Sequence, residues 1–358
     1  MTNTKVLNNI ALCGRVVGEG HRPFVIAEMS GNHNQSLARA LEIVEAAHKA
    51  GADAVKLQTY TADTMTINSN KSDFIISDPS SPWFGRSLYG LYEEAYTPWE
   101  WHEPIFSRCK ELGIGCFSTP FDGSSVDFLM GLNVPVIKVA SFENTDTELL
   151  RKIGQTKKPV IMSTGMASLA ELEVAISTLR SSGCSELILL KCTSSYPASP
   201  AESNLRTIPH LRQLFSTPVG LSDHTMGVGA AIAAVALGAC VIEKHFTLSR
   251  ADGGVDSAFS LEPVELAGLV VECERAWQAL GRVSYEPTKG EVKSRQLRRS
   301  LYVIRDLKKG ETVLREHLQA LRPSLGIEVA NMDLVVGKKA TQDITAGSPL
   351  CWEHLMRI

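Results

Sequence analysis

The 358-residue sequence predicts a TIM barrel, a closed barrel of eight alternating strands and helices, followed by a smaller C-terminal domain. Between residues 24 and 246, short apolar runs alternate with amphipathic stretches, and each run ends in polar residues. Eight such units over about 250 residues match the size of this fold. A doubly wound open sheet is the alternative, but no Gly-x-Gly-x-x-Gly motif follows the first run to support a dinucleotide-binding form of it.

The eight runs have the length of strands and are apolar on both faces, as parallel strands covered by helices are. They are FVIAEMS (24–30), AVKLQT (54–59), GCFSTP (115–120), VIKVAS (136–141), PVIMST (159–164), LILLKC (187–192), PVGLSD (218–223) and VIEKHF (241–246). Two helices between them are expected to begin at the N-caps Ser36 and Ser168. They should end near Gly51 and Gly183, and the last barrel helix near Gly281.

Residues 60–98 form a connection that is longer than a barrel needs and has no strong period. This segment contains the aromatic residues Trp83, Phe84, Tyr89 and Tyr92. A long excursion after a barrel strand often forms a functional loop or lid, and aromatic side chains suit a sugar-sized ligand. The alternative is that these side chains only pack the segment onto the barrel. The sequence leaves both interpretations open.

The chain is divided here into a barrel domain (1–281), a polar linker (282–296) and a C-terminal domain (297–358). Within the last domain, the segments 305–318 and 342–355 share a pattern at a constant offset of 37 residues. The matched positions are Asp306 and Asp343, Gly310 and Gly347, His317 and His354, and Leu318 and Leu355. We expect the two units to pair in a compact, turn-rich fold.

The composition and the cysteine pattern favour a cytoplasmic protein. The formal net charge is only −3, which gives no reason to expect nucleic acid or membrane as a partner. The N-terminal residues contain no apolar segment typical of a secretion signal, and no apolar run is long enough to span a bilayer. The eight cysteines include no Cys-x-x-Cys pair and are expected to be reduced and mostly buried.

The active site of a TIM barrel lies at the carboxyl ends of its strands, where this sequence is consistently polar. Lys56 and Lys138 fall within apolar runs, so each must reach water, the helix layer or an anion. Together with nearby hydroxyl groups they predict a phosphate-binding site, for which structural salt bridges are the alternative. The hydroxyl groups are those of Thr119, Ser141, Ser163 and Ser222.

His224 and His245 end the seventh and eighth runs, which are neighbours in a closed barrel about 4.8 Å apart. Two neutral imidazoles there could bind one divalent metal ion, with Asp223 and Glu243 as hydrogen-bonding partners. A structural histidine pair and a metal-free acid–base pair are the alternatives. His33, after the first run, is a further candidate for the site.

The order of the strand-end motifs resembles the sialic acid synthase family, the nonulosonate synthases that condense phosphoenolpyruvate with a sugar. The motifs are AEMSGNHNQSL, AVKLQTY, FSTPFD, IKVASFEN, MSTGMA, KCTSSYP, GLSDHTMG and EKHFTL. The tail, with LRPSLGI and DITAG, resembles that family's antifreeze-like (SAF) domain of the β-clip type. The resemblance covers nearly the whole chain and implies a transferase that forms a C–C bond.

The resemblance also implies roles for individual residues. His224 and His245 match metal ligands, with Mn²⁺ expected and Mg²⁺ or Co²⁺ as alternatives, and Glu28 matches a catalytic glutamate. The residues that match the phosphoenolpyruvate site are Lys56, Thr119, Lys138, Ser141, Ser163 and Ser222. The residues that match positions facing the sugar are Gln58, Tyr196, Glu243, Asp256 and Arg322. Arg322 lies in the SAF-like domain, which implies a domain-swapped homodimer in which it reaches the partner's active site.

Three further motifs, EAYTPWEWH, ASFENTD and DGGVDSAFSLEP, resemble the pseudaminic acid synthase branch of the family. N-acetylneuraminate synthases usually carry asparagine where this chain has Ser194. The resemblance therefore implies 2,4-diacetamido-2,4,6-trideoxy-L-altrose as the acceptor. An N-acetylneuraminate or legionaminate synthase is the alternative within the family. A class I aldolase with Lys138 or Lys56 as its Schiff-base lysine, and a non-catalytic sugar-binding protein, are alternatives from other classes.

Overall fold

The computed structural model of the chain describes residues 9–356. It contains two compact units, of which the first ends at Gly281 and the second begins at Arg282. In the described part of the chain, no helix is both long and apolar enough to cross a bilayer.

The first unit is a closed barrel of eight parallel strands, which confirms the predicted fold class. The strands are β3 (Phe24–Glu28), β4 (Ala54–Thr59), β5 (Gly115–Pro120), β6 (Ile137–Val139), β7 (Val160–Ser163), β8 (Leu187–Cys192), β9 (Val219–Asp223) and β10 (Val241–His245). Each falls within one of the eight apolar runs. Strand β10 pairs with β3, for example His245 with Glu28, and this pairing closes the barrel.

A short antiparallel hairpin precedes the barrel and was not predicted. Its strands are β1 (Ile10–Leu12) and β2 (Arg15–Val17). Its buried Leu12 and Val17 belong to the same apolar cluster as Phe24 and Phe117 of the barrel interior. Because Phe24 begins β3, the hairpin covers the amino end of the barrel, and only the carboxyl end is left for a site.

Helices cover the outside of the barrel. They are α1 (Leu37–Lys49), α4 (His102–Leu112), α5 (Gly123–Gly131), α6 (Thr147–Gln155), α7 (Leu169–Ser181), α8 (Thr207–Phe215), α9 (Gly229–Ala236) and α10 (Pro263–Leu280). The predicted N-caps are confirmed, since the Ser36 and Ser168 side chains accept the N–H groups of Arg39 and Glu171. Helix α10 ends at Gly281, as expected.

The long segment 60–98 is more ordered than its lack of period indicated. It contains α2 (Ala62–Met65), α3 (Leu88–Ala95) and a bridge between Ile75 and Ser87. Helix α3 is only eight residues long, too short for a helical period to be distinct in the sequence. Tyr92 packs edge-to-face against Tyr60, with ring centroids 5.8 Å apart, so part of this segment is fixed to the barrel unit.

The second unit is a small, turn-rich fold around its own apolar cluster. Its strands β11 (Ser300–Val303) and β12 (Leu318–Leu321) pair antiparallel, and α12 (Met332–Val335) follows. The predicted linker contains a short helix, α11 (Lys289–Ser294), which has a capping box at Thr288.

The 37-residue repeat is also present in the hydrogen bonds of this unit. Asp306 accepts the N–H of Ala346 at 2.8 Å, and Asp343 accepts the N–H of Lys309 at 2.8 Å. Each of these contacts is the other shifted by 37 residues. The two segments therefore bind each other reciprocally, as the repeat led us to expect.

Candidate active site

The alternation of side chains along each strand places them in the barrel interior or in the helix layer. In β3, Val25 and Ala27 pack with the helices, whereas Phe24 and Ile26 lie in the inner cluster. Glu28 continues the inner row at the carboxyl end of the strand. The residues that occupy equivalent inner positions are Lys56, Gln58, Thr119, Lys138, Ser163, Cys192, Ser222, Glu243 and His245. The strand residues that the sequence predicted as part of the site therefore lie together inside the carboxyl end of the barrel.

Two lysines form the centre of this group. Lys56 and Lys138 are both buried, and their Nζ atoms lie 3.9 and 3.8 Å from the same oxygen, Oε1 of Glu243. Burial lowers the pKa of Lys138, although Glu243 opposes the shift. Burial alone would raise the pKa of Glu243, but the two lysines outweigh it and lower that pKa. Lys56 and Lys138 therefore share Glu243, and Lys56 also pairs with Glu28, so Lys138 is the less well neutralised ammonium group and would gain most from an anionic ligand.

Glu28 connects this centre to the side of the cavity occupied by β4. Its carboxylate lies 2.6 Å from Lys56 Nζ and accepts a hydrogen bond from Gln58 Nε2 at 2.8 Å. Burial raises the pKa of Glu28, against the opposing charge of Lys56. Gln58 also donates to Ser30 Oγ at 3.0 Å, and Ser30 donates to Asp256. A chain of hydrogen bonds thus joins the predicted residues Glu28, Gln58 and Asp256.

The four predicted hydroxyl groups also lie at this end of the barrel. Lys56 donates to Thr119 Oγ1 at 3.2 Å, and Lys138 donates to Ser163 Oγ at 2.7 Å. Ser222 donates to Glu243 Oε1 at 3.2 Å. Ser141 accepts the backbone N–H of Gly165 at 3.1 Å, just after the end of β7. Two of the four hydroxyl groups therefore contact the ammonium groups directly and keep their own hydrogen to donate, as a phosphate-binding site requires.

The two histidines meet at the mouth of the barrel. The ring centroids of His224 and His245 lie 5.4 Å apart. Nδ1 of His224 is 2.9 Å from the carbonyl oxygen of Thr193, so it must carry the hydrogen, and Nε2 keeps its lone pair in the neutral ring. Nδ1 of His245 is buried without a hydrogen-bond partner, 3.7 Å from a carboxylate oxygen of Asp256.

The donor types here, two imidazoles and the Asp256 carboxylate, are those of a divalent metal site, although their ligand atoms do not all lie within 4.8 Å of one another. Burial, helped by the neighbouring His224 and Lys56, lowers the pKa of His245 well below its usual value, so the ring is neutral and able to bind a metal. An unpartnered buried nitrogen beside a second imidazole and a carboxylate is the donor set of an open transition-metal site. Glu243, which pairs with the lysines, lies on the same strand as His245, two residues before it.

Aromatic rings line the outer side of the histidine pair. The Tyr196 ring lies 4.4 Å from that of His224, and the Phe259 ring lies 5.0 Å from that of His245. Tyr196 and Phe259 also contact each other, at 5.3 Å. Trp83, from the long segment, lies against both of these rings. This arrangement places Tyr196, which is predicted to face the sugar, beside the histidine pair, although it follows no strand directly.

Two sequence expectations are wrong for this site. His33 is fully buried elsewhere, with its ring edge-on to Trp101 at 5.5 Å. Asp223 does not support a histidine, because it lies on the outer face of β9 and pairs with Lys244 Nζ at 2.7 Å. Lys244, the partner of Asp223, therefore points into the helix layer as well. Arg322 follows β12 in the second unit, and its role remains a prediction.

Sequence reasoning missed Cys192, which was grouped with the structural cysteines. Its Sγ lies 3.6 Å from Ser194 Oγ and 3.9 Å from His224 Nδ1. Burial would raise the pKa of this thiol, but contact with His224 outweighs it and lowers the pKa to about 7. Its position in the strand could have identified it, because Cys192 ends β8 and pairs with the predicted site residue Ser222 at the end of β9.

A second cluster of potential ligands lies in the second unit. Within residues 9–356, one group of three such side chains, Cys351, Glu353 and His354, places its ligand atoms within 4.8 Å of one another. His354 Nδ1 accepts the N–H of Cys351 at 3.1 Å, and in the other repeat His317 Nδ1 accepts the N–H of Leu314 at 3.2 Å. The shared geometry indicates a turn-capping contact of the repeat rather than a metal centre.

Comparison with known proteins gives matches over both units. Residues 43–285 match the NeuB family, and residues 298–356 match the SAF domain. A pseudaminic acid synthase from Campylobacter jejuni is 44% identical over 327 residues, which cover 91% of this chain and 95% of that protein. An N,N'-diacetyllegionaminic acid synthase from Legionella pneumophila is 39% identical, with 93% and 94% covered.

The fold of solved structures agrees with these matches. An N-acetylneuraminic acid synthetase from Leptospira borgpetersenii, solved with citrate, superposes with a TM-score of 0.72 at 32% identity. The superposition covers 82% of this chain and 96% of that one. More distant barrels, such as a 3-deoxy-D-arabino-heptulosonate 7-phosphate synthase from Thermotoga maritima, share the fold at 16% identity and a TM-score of 0.58.

Proposed function

The chain belongs to the NeuB family, and from that premise we propose that it is a pseudaminic acid synthase. In this proposal it condenses phosphoenolpyruvate with 2,4-diacetamido-2,4,6-trideoxy-L-altrose. The observation that carries the proposal is the placement of two buried lysines and a histidine pair at the same barrel end. The higher identity to a pseudaminic acid synthase, 44% against 39% for a legionaminic acid synthase, supports the choice of acceptor.

The lysine side of the cavity is proposed to bind phosphoenolpyruvate. Lys56 and Lys138 hold its phosphate and carboxylate, with hydroxyl hydrogen bonds from Thr119, Ser163 and neighbouring serines. The phosphate and carboxylate of phosphoenolpyruvate take over part of the ion pairing that Glu243 otherwise gives to both ammonium groups. Cations preorganised beside developing negative charge are a large catalytic term.

The acceptor is proposed to bind between this centre and the aromatic rings. Carbon C3 of phosphoenolpyruvate forms a bond to the aldehyde carbon, and water adds to C2. Phosphate then leaves with cleavage of its C–O bond. Glu28, held between Lys56 and Gln58, is placed to take a proton from that water, and Asp256 and Tyr196 orient the sugar.

His224 and His245 are proposed to hold a divalent metal ion, Mn²⁺ in the first instance with Mg²⁺ or Co²⁺ as alternatives. When bound, such an ion supplies Lewis acidity to the aldehyde oxygen of the acceptor. The hydrogen bond from His224 Nδ1 to Thr193 fixes the tautomer that this role needs.

We further propose the homodimer that the family resemblance implies, in which Arg322 contributes to the active site of the other copy. It is supported by the match of residues 298–356 to the SAF domain, which includes this arginine.

One experiment tests the reaction directly. The protein is incubated with phosphoenolpyruvate, Mn²⁺ and each of three acceptors, the L-altrose derivative, its legionaminate-type stereoisomer and N-acetylmannosamine. Phosphate release is measured, and the nonulosonate is identified by mass spectrometry and NMR. Release only with the second or third acceptor would move the chain to another branch of the family.

Borohydride trapping tests the aldolase alternative, which the lowered pKa of Lys138 makes worth excluding. A class I aldolase becomes covalently labelled when pyruvate and borohydride are added together. We expect no mass increase on a peptide containing Lys138 or Lys56. A stoichiometric adduct on either lysine would favour the aldolase.

A further inference from the structure

The long segment 60–98 has no part in the proposed reaction, yet one of its side chains reaches the site. Trp83 donates its indole N–H to the carbonyl oxygen of Val255 at 2.8 Å. Its ring centroid lies 5.8 Å from that of Tyr196 and 6.3 Å from that of Phe259. Val255 directly precedes Asp256, so the contact also fixes the loop that carries a predicted sugar-facing carboxylate.

Trp83, Tyr196 and Phe259 together form a continuous aromatic wall. Two of its members contact the histidine pair, Tyr196 at 4.4 Å from His224 and Phe259 at 5.0 Å from His245. Trp83 contacts these two rings from the segment that crosses the barrel mouth and is itself partly exposed. Phe259 is buried, whereas Trp83 and Tyr196 both keep exposed surface that a ligand could contact.

We infer that Trp83 is a specificity-determining residue that recognises the apolar outer end of the acceptor. This inference rests on the proposed function, in which the aldehyde end of the sugar lies beside His224 and His245. The other end of the sugar then extends toward the aromatic wall. That end carries the C6 methyl and C4 acetamido groups of a 2,4-diacetamido-2,4,6-trideoxy sugar.

The polar chemistry of Trp83 supports this assignment. The indole has one polar atom, and its N–H is already bonded to the Val255 carbonyl, so the ring offers a ligand only its apolar surface. A methyl group gains from contact with such a surface. A hydroxymethyl group, as in N-acetylmannosamine, loses hydrogen bonds to water there and finds no donor on the ring. Trp83 thus selects for 6-deoxy acceptors as a class and not for one stereoisomer.

The test compares two acceptors that differ only at C6. They are 2,4-diacetamido-2,4,6-trideoxy-L-altrose and its 6-hydroxy counterpart. We expect the parent protein to prefer the 6-deoxy sugar in kcat/KM by about 10- to 100-fold. In Trp83→Ala this preference falls to less than about threefold, chiefly through a higher KM for the 6-deoxy sugar.

Two variants separate the apolar surface from the hydrogen bond and from the segment as a whole. Trp83→Phe keeps a ring but loses the bond to Val255, and it should retain most of the preference. Phe84→Ala is the matched control, because Phe84 is the next aromatic residue in the chain and 55% exposed. It should behave as the parent protein does. Where Trp83→Ala fails to fold, Trp83→Leu is measured against the same criterion.

A binding measurement supplies a readout besides turnover. The chain has five tryptophans, and the 6-deoxy acceptor should change the intrinsic fluorescence of the parent but not of Trp83→Phe. The inference is overturned if Trp83→Ala lowers kcat/KM equally for both acceptors, or leaves both unchanged. The proposed function itself fails differently, by the absence of phosphate release from the parent protein with either sugar.

Discussion

The roles of individual side chains depend on the buried, paired charges at the carboxyl end of the barrel. Lys56, Lys138 and Glu243 are all nearly inaccessible to water, and each is held by a contact from another strand. Lysines within apolar runs predicted this site, because an ammonium group in a strand needs a special partner. The sequence did not show which carboxylate that partner would be, since Glu243 approaches from a strand more than 100 residues away in the chain.

The histidine pair gives the most direct prediction at this scale. His224→Ala and His245→Ala each remove one nitrogen from the proposed metal site, so kcat should fall by at least about 100-fold. Metal binding, measured by isothermal titration with Mn²⁺, should be lost as well. His210→Ala, on the exposed face of α8, is the control and should keep both properties. Full activity after exhaustive dialysis against EDTA would rule out the metal role.

Elements were easier to predict than contacts. All eight strands follow from apolar runs bounded by turns, and the caps Ser36 and Ser168 follow from local chemistry. The hairpin β1–β2 was not predicted because its strands have only three residues each, too few for an alternation of apolar and polar residues to be recognised. The sequence also did not predict that Asp223 and His33 lie outside the site. Whether a side chain enters the barrel interior depends on strand register and on packing with distant segments.

His102 links strand β4 to helix α4, and its burial makes the barrel unit sensitive to acid. Its Nε2 lies 2.8 Å from Thr59 Oγ1, and burial lowers its pKa from 6.5 to about 4. Between these values the unfolded chain binds more protons than the folded one. The stabilisation is therefore complete above pH 6.5 and is lost as the pH falls toward 4, by about 3 kcal/mol.

Replacing the residue tests this linkage. In His102→Gln the free energy of unfolding should depend less steeply on pH between 6.5 and 4, even though packing at pH 7 is poorer. Urea unfolding of the barrel, followed by circular dichroism at several pH values, measures the slope. His48→Gln, at an exposed position of α1, is the comparison variant. A slope unchanged from the parent would show that His102 is not the titrating group.

The repeat in the second unit predicts that equivalent substitutions have equivalent effects. Asp306→Ala and Asp343→Ala each remove one acceptor of a reciprocal backbone bond, worth about 1 kcal/mol. Hydrogen exchange should therefore speed up about fivefold at the Ala346 amide in the first variant and at the Lys309 amide in the second. Asp333→Ala, on the same unit's surface, should change neither amide. Effects confined to one half would contradict the symmetry.

At the scale of the whole molecule, the number of strand–helix units predicted the barrel, and the family resemblance predicted the acceptor branch. The comparisons agree with both, through the NeuB and SAF matches and 44% identity to a pseudaminic acid synthase. The part played by Arg322 was not accessible to the same reasoning. Its proposed action in another copy of the chain would leave no trace in the strand pattern of its own barrel.

Arg322→Ala tests the proposed sharing of the active site between two copies. We expect KM for the sugar to rise about tenfold, with a smaller change in KM for phosphoenolpyruvate, because the guanidinium is proposed to contact the acceptor. Mixing Arg322→Ala with the inactive His245→Ala variant should restore some native sites in mixed dimers. Steady-state kinetics on the mixture measures this recovery. An unchanged sugar KM, or no recovery after exchange of subunits, would place Arg322 outside the shared site.

The reciprocal bonds of the second unit also bear on its ancestry. Each half is far too small to bury a core alone, and each carries one acceptor and one donor of the paired contacts. Two identical copies of such a half would satisfy every one of these contacts as a symmetric, isologous pair. Duplication and fusion of one short gene would then have joined the pair covalently and removed its dependence on concentration. The second unit has the construction expected of a small homodimer that became a single chain.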